Sequence, residues 1–106
     1  MGGRPLLVLA LALGASSSAL AQQPDPKLGR NLAAACASCH GTNGASRAGM
    51  PALAGRDPGE LTRLMQDFRS GKRPATVMQQ IARGYTDEQV AAIAAYFAAQ
   101  RASEVQ

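Results

Sequence analysis

Cys36-Ala37-Ser38-Cys39-His40-Gly41 holds both cysteines and the only histidine of a 106-residue chain. Two cysteines three residues apart near a helix end project from one side of it, so both sulfurs can bond one edge of a flat ligand. His40 follows at once, which puts its imidazole beneath that ligand with Nε2 placed to bind a metal. Cys-x-x-Cys-His in this spacing is the haem attachment signature, with Cys36 and Cys39 as thioethers to the two vinyl groups and His40 on the iron. Three other readings are weaker. Zinc requires four ligands, and these three residues exhaust the Cys and His of the chain. A thioredoxin-like redox pair wants a βαβ context, and no alternating strand pattern is present. A Cys36–Cys39 disulfide is what an oxidising compartment makes when haem is missing.

Towards the N-terminus the sequence changes character. Met1-Gly2-Gly3-Arg4 carries one positive charge, Leu6–Leu13 is unbroken apolar sequence, and Ala19-Leu20-Ala21 has the small-x-small pattern that signal peptidase cuts after. The apolar run falls far short of the ~20 residues that span a bilayer, so a membrane anchor is not expected. Residues 1–21 read as a cleaved secretory signal peptide and residues 22–106 as one monohaem domain, which places the mature chain in the periplasm. A domain of that size without tryptophan struggles to bury enough apolar surface on its own and needs a staple, a metal or a cofactor. The formal net charge of +4 is spread out, with only Arg69, Lys72 and Arg73 close together. Nucleic-acid binding would want a denser patch interleaved with aromatic rings, so the charge reads as a solubility feature or a docking surface for an acidic partner; with haem, the expected partners are redox proteins.

Four helical segments follow from the turn chemistry. Asp25-Pro26 opens the first, which carries Leu28, Leu32, Ala35 and Cys36 and ends near Cys39-His40-Gly41. Gly41 to Gly55 is loop. Asp57-Pro58-Gly59-Glu60 resembles a capping box and starts a helix with Leu61, Leu64, Met65 and Phe68 on one face, stopping at Gly71. A short segment from Pro74 to Arg83 is closed by Gly84. Thr86-Asp87-Glu88-Gln89, a second capping box, begins the last helix, expected to reach about Arg101, with a fraying tail from Ala102 to Gln106. Small Gly29 and Ala33 on the first helix and large Tyr96 and Phe97 on the last suggest a close crossing of the two.

A thioether opposite the histidine favours ferrous iron and raises the potential, as electron-transfer haems require. Met65 lies on the Leu61–Leu64–Phe68 stripe and reads as core. Met50 sits close in sequence to His40, hence on the histidine side. Met78 comes from a segment able to return across the other face and is the expected second ligand to the iron. Ligating histidines donate their second N–H to a carbonyl or carboxylate. The candidate acceptor is Pro51, which would equally serve to stiffen the loop. Tyr85 could pack on the ring or bond a propionate, or simply be a half-buried tyrosine. Arg69, Lys72, Arg73 and Arg83 could meet propionates or a partner, although a solvated face suits each.

These residues together resemble a class I cytochrome c: Gly29 three before Leu32, Cys36-x-x-Cys39-His40-Gly41, a proline-containing loop, a downstream Met78 and a closing helix with Tyr96. The stretch Phe68-Arg69-Ser70-Gly71-Lys72-Arg73 and the run Val77-Met78-Gln79-Gln80-Ile81-Ala82-Arg83-Gly84-Tyr85 are similar to the haem subunit of flavocytochrome c sulfide dehydrogenases. The resemblance implies an all-α fold of about four helices wrapped around one covalent haem c. It implies axial ligation by His40 and Met78, with the family's proline at Pro51. It also implies electron transfer without catalysis by the chain itself, and a flavoprotein subunit as partner. Many such subunits carry two haem domains, whereas this chain has one motif. A freely diffusing carrier is the alternative, and a gas-binding haem protein with an open sixth position a more distant one.

Overall fold

Asp25 starts the first helix, its Oδ1 accepting the Lys27 backbone N–H at 2.9 Å, with proline next at a position whose N–H would have no helical partner anyway. Helix α1 spans Pro26–Ala33; the chain then tightens into a 3-10 turn, Ala34–Cys36, and resumes as the short helix α2, Ala37–His40. Helix α3 is Pro58–Ser70, α4 is Met78–Arg83 and α5 is Asp87–Ala98. The computed structural model describes residues 1–3, 25–47 and 49–101. The expected signal segment from Arg4 onward and the tail after Arg101 lie outside the described residues. Among the described residues all regular structure is helical, as an all-α cytochrome c fold requires.

The helix ends show which local rules won. At α5 the capping box is complete: Thr86 Oγ1 accepts the Gln89 N–H at 3.2 Å, and Gln89 Oε1 accepts the Thr86 N–H at 2.9 Å. At α3 only half of it forms. Asp57 Oδ2 accepts the Glu60 N–H at 2.9 Å, but the Glu60 carboxylate turns to the Arg56 guanidinium. A charge-assisted bond outcompetes a neutral N–H for that oxygen. The third segment also differs from expectation, since helix begins at Met78 and not at Pro74. The Arg73 N–H reaches back to the Asp67 carbonyl at 3.0 Å beyond a left-handed Gly71, and Arg73, preceding a proline, is driven from helical geometry. Helix α5 stops short of Arg101 because the Gln100 side-chain amide takes the Tyr96 carbonyl at 2.9 Å.

Helix α1 crosses α5, and α3 packs on both α4 and α5. A Cβ built on Gly29 would lie 2.5 Å from the Ala92 carbonyl oxygen and 3.4 Å from Tyr96 Cβ. The obstacle is backbone and cannot swing aside. Gly29→Val is therefore expected to lower unfolding stability by about 1–3 kcal/mol, the usual cost of overpacking, read as a fall in the denaturation midpoint. The buried cluster is Ala33, Leu61, Ile93, Ala94 and Phe97. It is a thin core: the largest side chains wholly withdrawn from solvent are Phe97 and Val90. Much of the remaining apolar surface faces a cavity.

Candidate haem site

The cavity has a volume of about 350 Å³, within the range of small-molecule sites. Leu61, Leu64, Met65 and Phe68 of α3 form one wall, and Val77, Met78 and Ile81 another. Val77 is 60% exposed, and Met50 and Ile81 are also exposed where they border the cavity. Apolar side chains this open, gathered around one cavity, want an apolar ligand to cover them.

His40 ends α2 and is 8% exposed. Its Nδ1 lies 2.7 Å from the Pro51 carbonyl oxygen. A carbonyl can only accept, so Nδ1 carries the proton and donates it, and Nε2 of the neutral ring keeps its lone pair. The helix must stop there, because Gly41 takes φ 81° and ψ 165°, a combination essentially confined to glycine. The loop that follows is fastened at several points. Gly44 accepts the Leu53 N–H at 2.8 Å and the Gly55 N–H donates to the Phe97 carbonyl at 2.9 Å. Tyr96 also donates its hydroxyl to Asn43 Oδ1 at 2.6 Å. Helix α5 thus holds the loop that carries Pro51 up to His40.

Cys36 is half-buried and Cys39 exposed, and both border the cavity beside His40. Burial pushes the Cys36 thiol above its ordinary pKa, and the neighbouring Cys39 adds to the rise. Met50, Met65 and Met78 all line the cavity. Met50 precedes Pro51, whose carbonyl meets His40, Met65 sits among its α3 neighbours, and Met78 opens α4. Tyr85 is half-buried, packed against the core cluster and bordering the cavity. Two thiols, an imidazole with a free lone pair and a thioether on an apolar wall fit haem in size, polarity and donor chemistry.

Two arginines have roles the sequence did not disclose. Arg56 reaches the cavity wall while paired with Glu60. Arg69 bonds three groups around the α4–α5 joint. The Arg56–Glu60 pair has the i,i+4 spacing that could have flagged it, whereas nothing in the spacing flags Arg69, whose partners on α4 and α5 meet it only once the helices have packed. Arg73, by contrast, lies over the Phe68 ring at 5.5 Å from its centroid, within cation–π range.

Helices around one cavity, with this donor set on its wall, define the class I cytochrome c type of haem protein. Residues 25–97 match the family described as "Cytochrome C oxidase, cbb3-type, subunit III". The chain is 38% identical over 96 residues to the cytochrome subunit of sulfide dehydrogenase from Chlorobaculum tepidum, covering 86% of this chain and 87% of that one. It is 49% identical over 70 residues to the thiosulfate dehydrogenase electron acceptor of Stutzerimonas stutzeri, across 63% of this chain and 32% of the relative. Cytochrome c4 of Pseudomonas aeruginosa is 39% identical over 99 residues, 92% of this chain and 49% of its own length. The chain belongs to the c-type cytochrome family. That family implies haem c as cofactor and electron transfer as the activity, with the chain a carrier of electrons and not a catalyst. Among the described residues no helix is long and apolar enough to cross a membrane.

Proposed function

We propose that this chain is exported to the periplasm by a signal peptide ending at Ala21 and carries single electrons on one covalently bound haem c. Cys36 and Cys39 would hold it by thioethers, with His40 Nε2 and Met78 Sδ as axial ligands to the iron. Bound in this way, the haem supplies a one-electron ferric–ferrous couple. The observation that carries the reading is the 2.7 Å contact from His40 Nδ1 to the Pro51 carbonyl. It fixes the tautomer, keeps Nε2 available and makes the imidazole a stronger donor. Met78 is favoured over its competitors by its element. Helix α4 lies well downstream of both His40 and Pro51, whereas Met50 adjoins Pro51 and Met65 fills the α3 wall. Tyr85 would pack against the ring.

The role closest to the sequence is that of cytochrome subunit beside a flavoprotein sulfide dehydrogenase. Support comes from the Chlorobaculum tepidum relative, matched over most of both chains. The second reading, a freely diffusing carrier, is favoured by a relative named as an electron acceptor of an enzyme and not as part of one. Mass spectrometry of protein from a host that matures such cytochromes should show a chain beginning at Gln22 with the mass of one haem added. A chain without that mass would end the proposal. Purification from native cells separates the two roles: co-elution with a flavoprotein supports the subunit, and a lone haemoprotein supports the carrier.

A further inference from the structure

We infer that Arg69 is the positioning residue for Met78: from α3 it locks α4 onto the cavity by bonding three points around the α4–α5 joint. The inference rests on the assignment of Met78 proposed above. Arg69 Nη2 donates to the Tyr85 carbonyl at 2.8 Å, Nη1 to Asp87 Oδ1 at 2.6 Å, and Nε to the Ala82 carbonyl at 3.4 Å. Only a planar guanidinium offers donors in three directions from one rigid group.

Beyond its packing on α3, little else holds α4. It is six residues long, and its N-cap, Val77, makes no side-chain capping bond; so short a helix has no stability of its own in water. Val77 and Ile81 are exposed, and only Ala82 is wholly buried, at 0%. Among the described residues, every hydrogen bond that reaches Pro74–Tyr85 from elsewhere in the chain comes from Arg69. Apart from the packing of α4 on α3 through Ala82, the segment that presents Met78 is therefore tied by hydrogen bonds to one side chain, and release of that side chain loosens α4 while α1, α3 and α5 stay packed.

The test uses the haem-loaded protein and two readouts: the near-infrared thioether-to-iron band of the ferric form, and the rate of carbon monoxide binding to the ferrous form. Opening of α4 limits that rate, so it reports how often Met78 leaves. Arg69→Gln is expected to weaken the band and raise the rate about tenfold or more, as loss of charge-assisted bonds to a two-state element implies. Arg69→Lys keeps one contact and should fall between. Gly29→Ala, which weakens the distant α1–α5 crossing, should leave the rate near the parent value. An unchanged rate in Arg69→Gln overturns the inference, as does an equal rise in Gly29→Ala, which would make Arg69 one contributor to general stability. Should Arg69→Gln fail to accumulate, Arg69→Lys and Asp87→Asn carry the test, and parent rates in both overturn it. Met78→Ala separates the two proposals. If it keeps the parent band and rate, the ligand assignment fails and this inference with it. If it behaves as expected while Arg69→Gln does not, only this inference falls.

Discussion

On the proposed ligation, Met78→Ala is expected to retain covalent haem, bind carbon monoxide rapidly in the ferrous form and show a midpoint potential lower by on the order of 0.1 V or more, within the ~0.8 V that axial ligands span. The sign follows from softness. A thioether stabilises ferrous over ferric iron, so its removal favours the oxidised form. Attachment should be unaffected, because Cys36 and Cys39, the proposed anchors, belong to the α1–α2 segment and not to α4. Redox titration and the near-infrared spectrum check the result. An unchanged potential would move the assignment to Met50 or Met65, which line the same cavity.

The paired substitution Cys36→Ser and Cys39→Ser is expected to abolish most of the helical circular dichroism and to leave a chain that proteases digest quickly. Apart from Phe97 and Val90, few large side chains are fully withdrawn from water. Leu64, Met65, Phe68 and Met78 are only half-buried because they face the cavity. Stabilisation by a ligand bound to the native state alone grows with its effective concentration, and a covalent tether makes that concentration very large. Without the tether the thin core must offset the chain entropy alone. A compact, protease-resistant double variant lacking haem would contradict this account.

Much of this architecture is legible in the sequence because it is written in local chemistry. Asp25-Pro26, Asp57-Pro58 and Thr86 each begin a helix where their capping groups predict. The close approach of Gly29 to α5 is foreshadowed by small residues on one helix and large ones on the other. What stays hidden is competition between local partners and tertiary meetings. Glu60 has two local choices, its own helix end and Arg56 four residues before it, and the ion pair wins. The late start of α4 reflects the Arg73 bond back to Asp67, a six-residue return that helical periodicity does not encode. The three-way grip of Arg69 joins residues 13 to 18 positions apart, and a lone arginine at a helix end looks like any solvated cation.

The loop after His40 is knotted to α5 by a main-chain bond at Gly55 and by the Tyr96 hydroxyl at Asn43. The first of these uses main-chain atoms alone, which a change of side chain other than to proline at position 55 leaves in place. The imidazole side is thus held largely by main-chain atoms, whereas the proposed sulfur side hangs on a short helix tied by one arginine. Substitutions around α4 would therefore retune a bound haem while leaving the backbone cradle of His40 undisturbed.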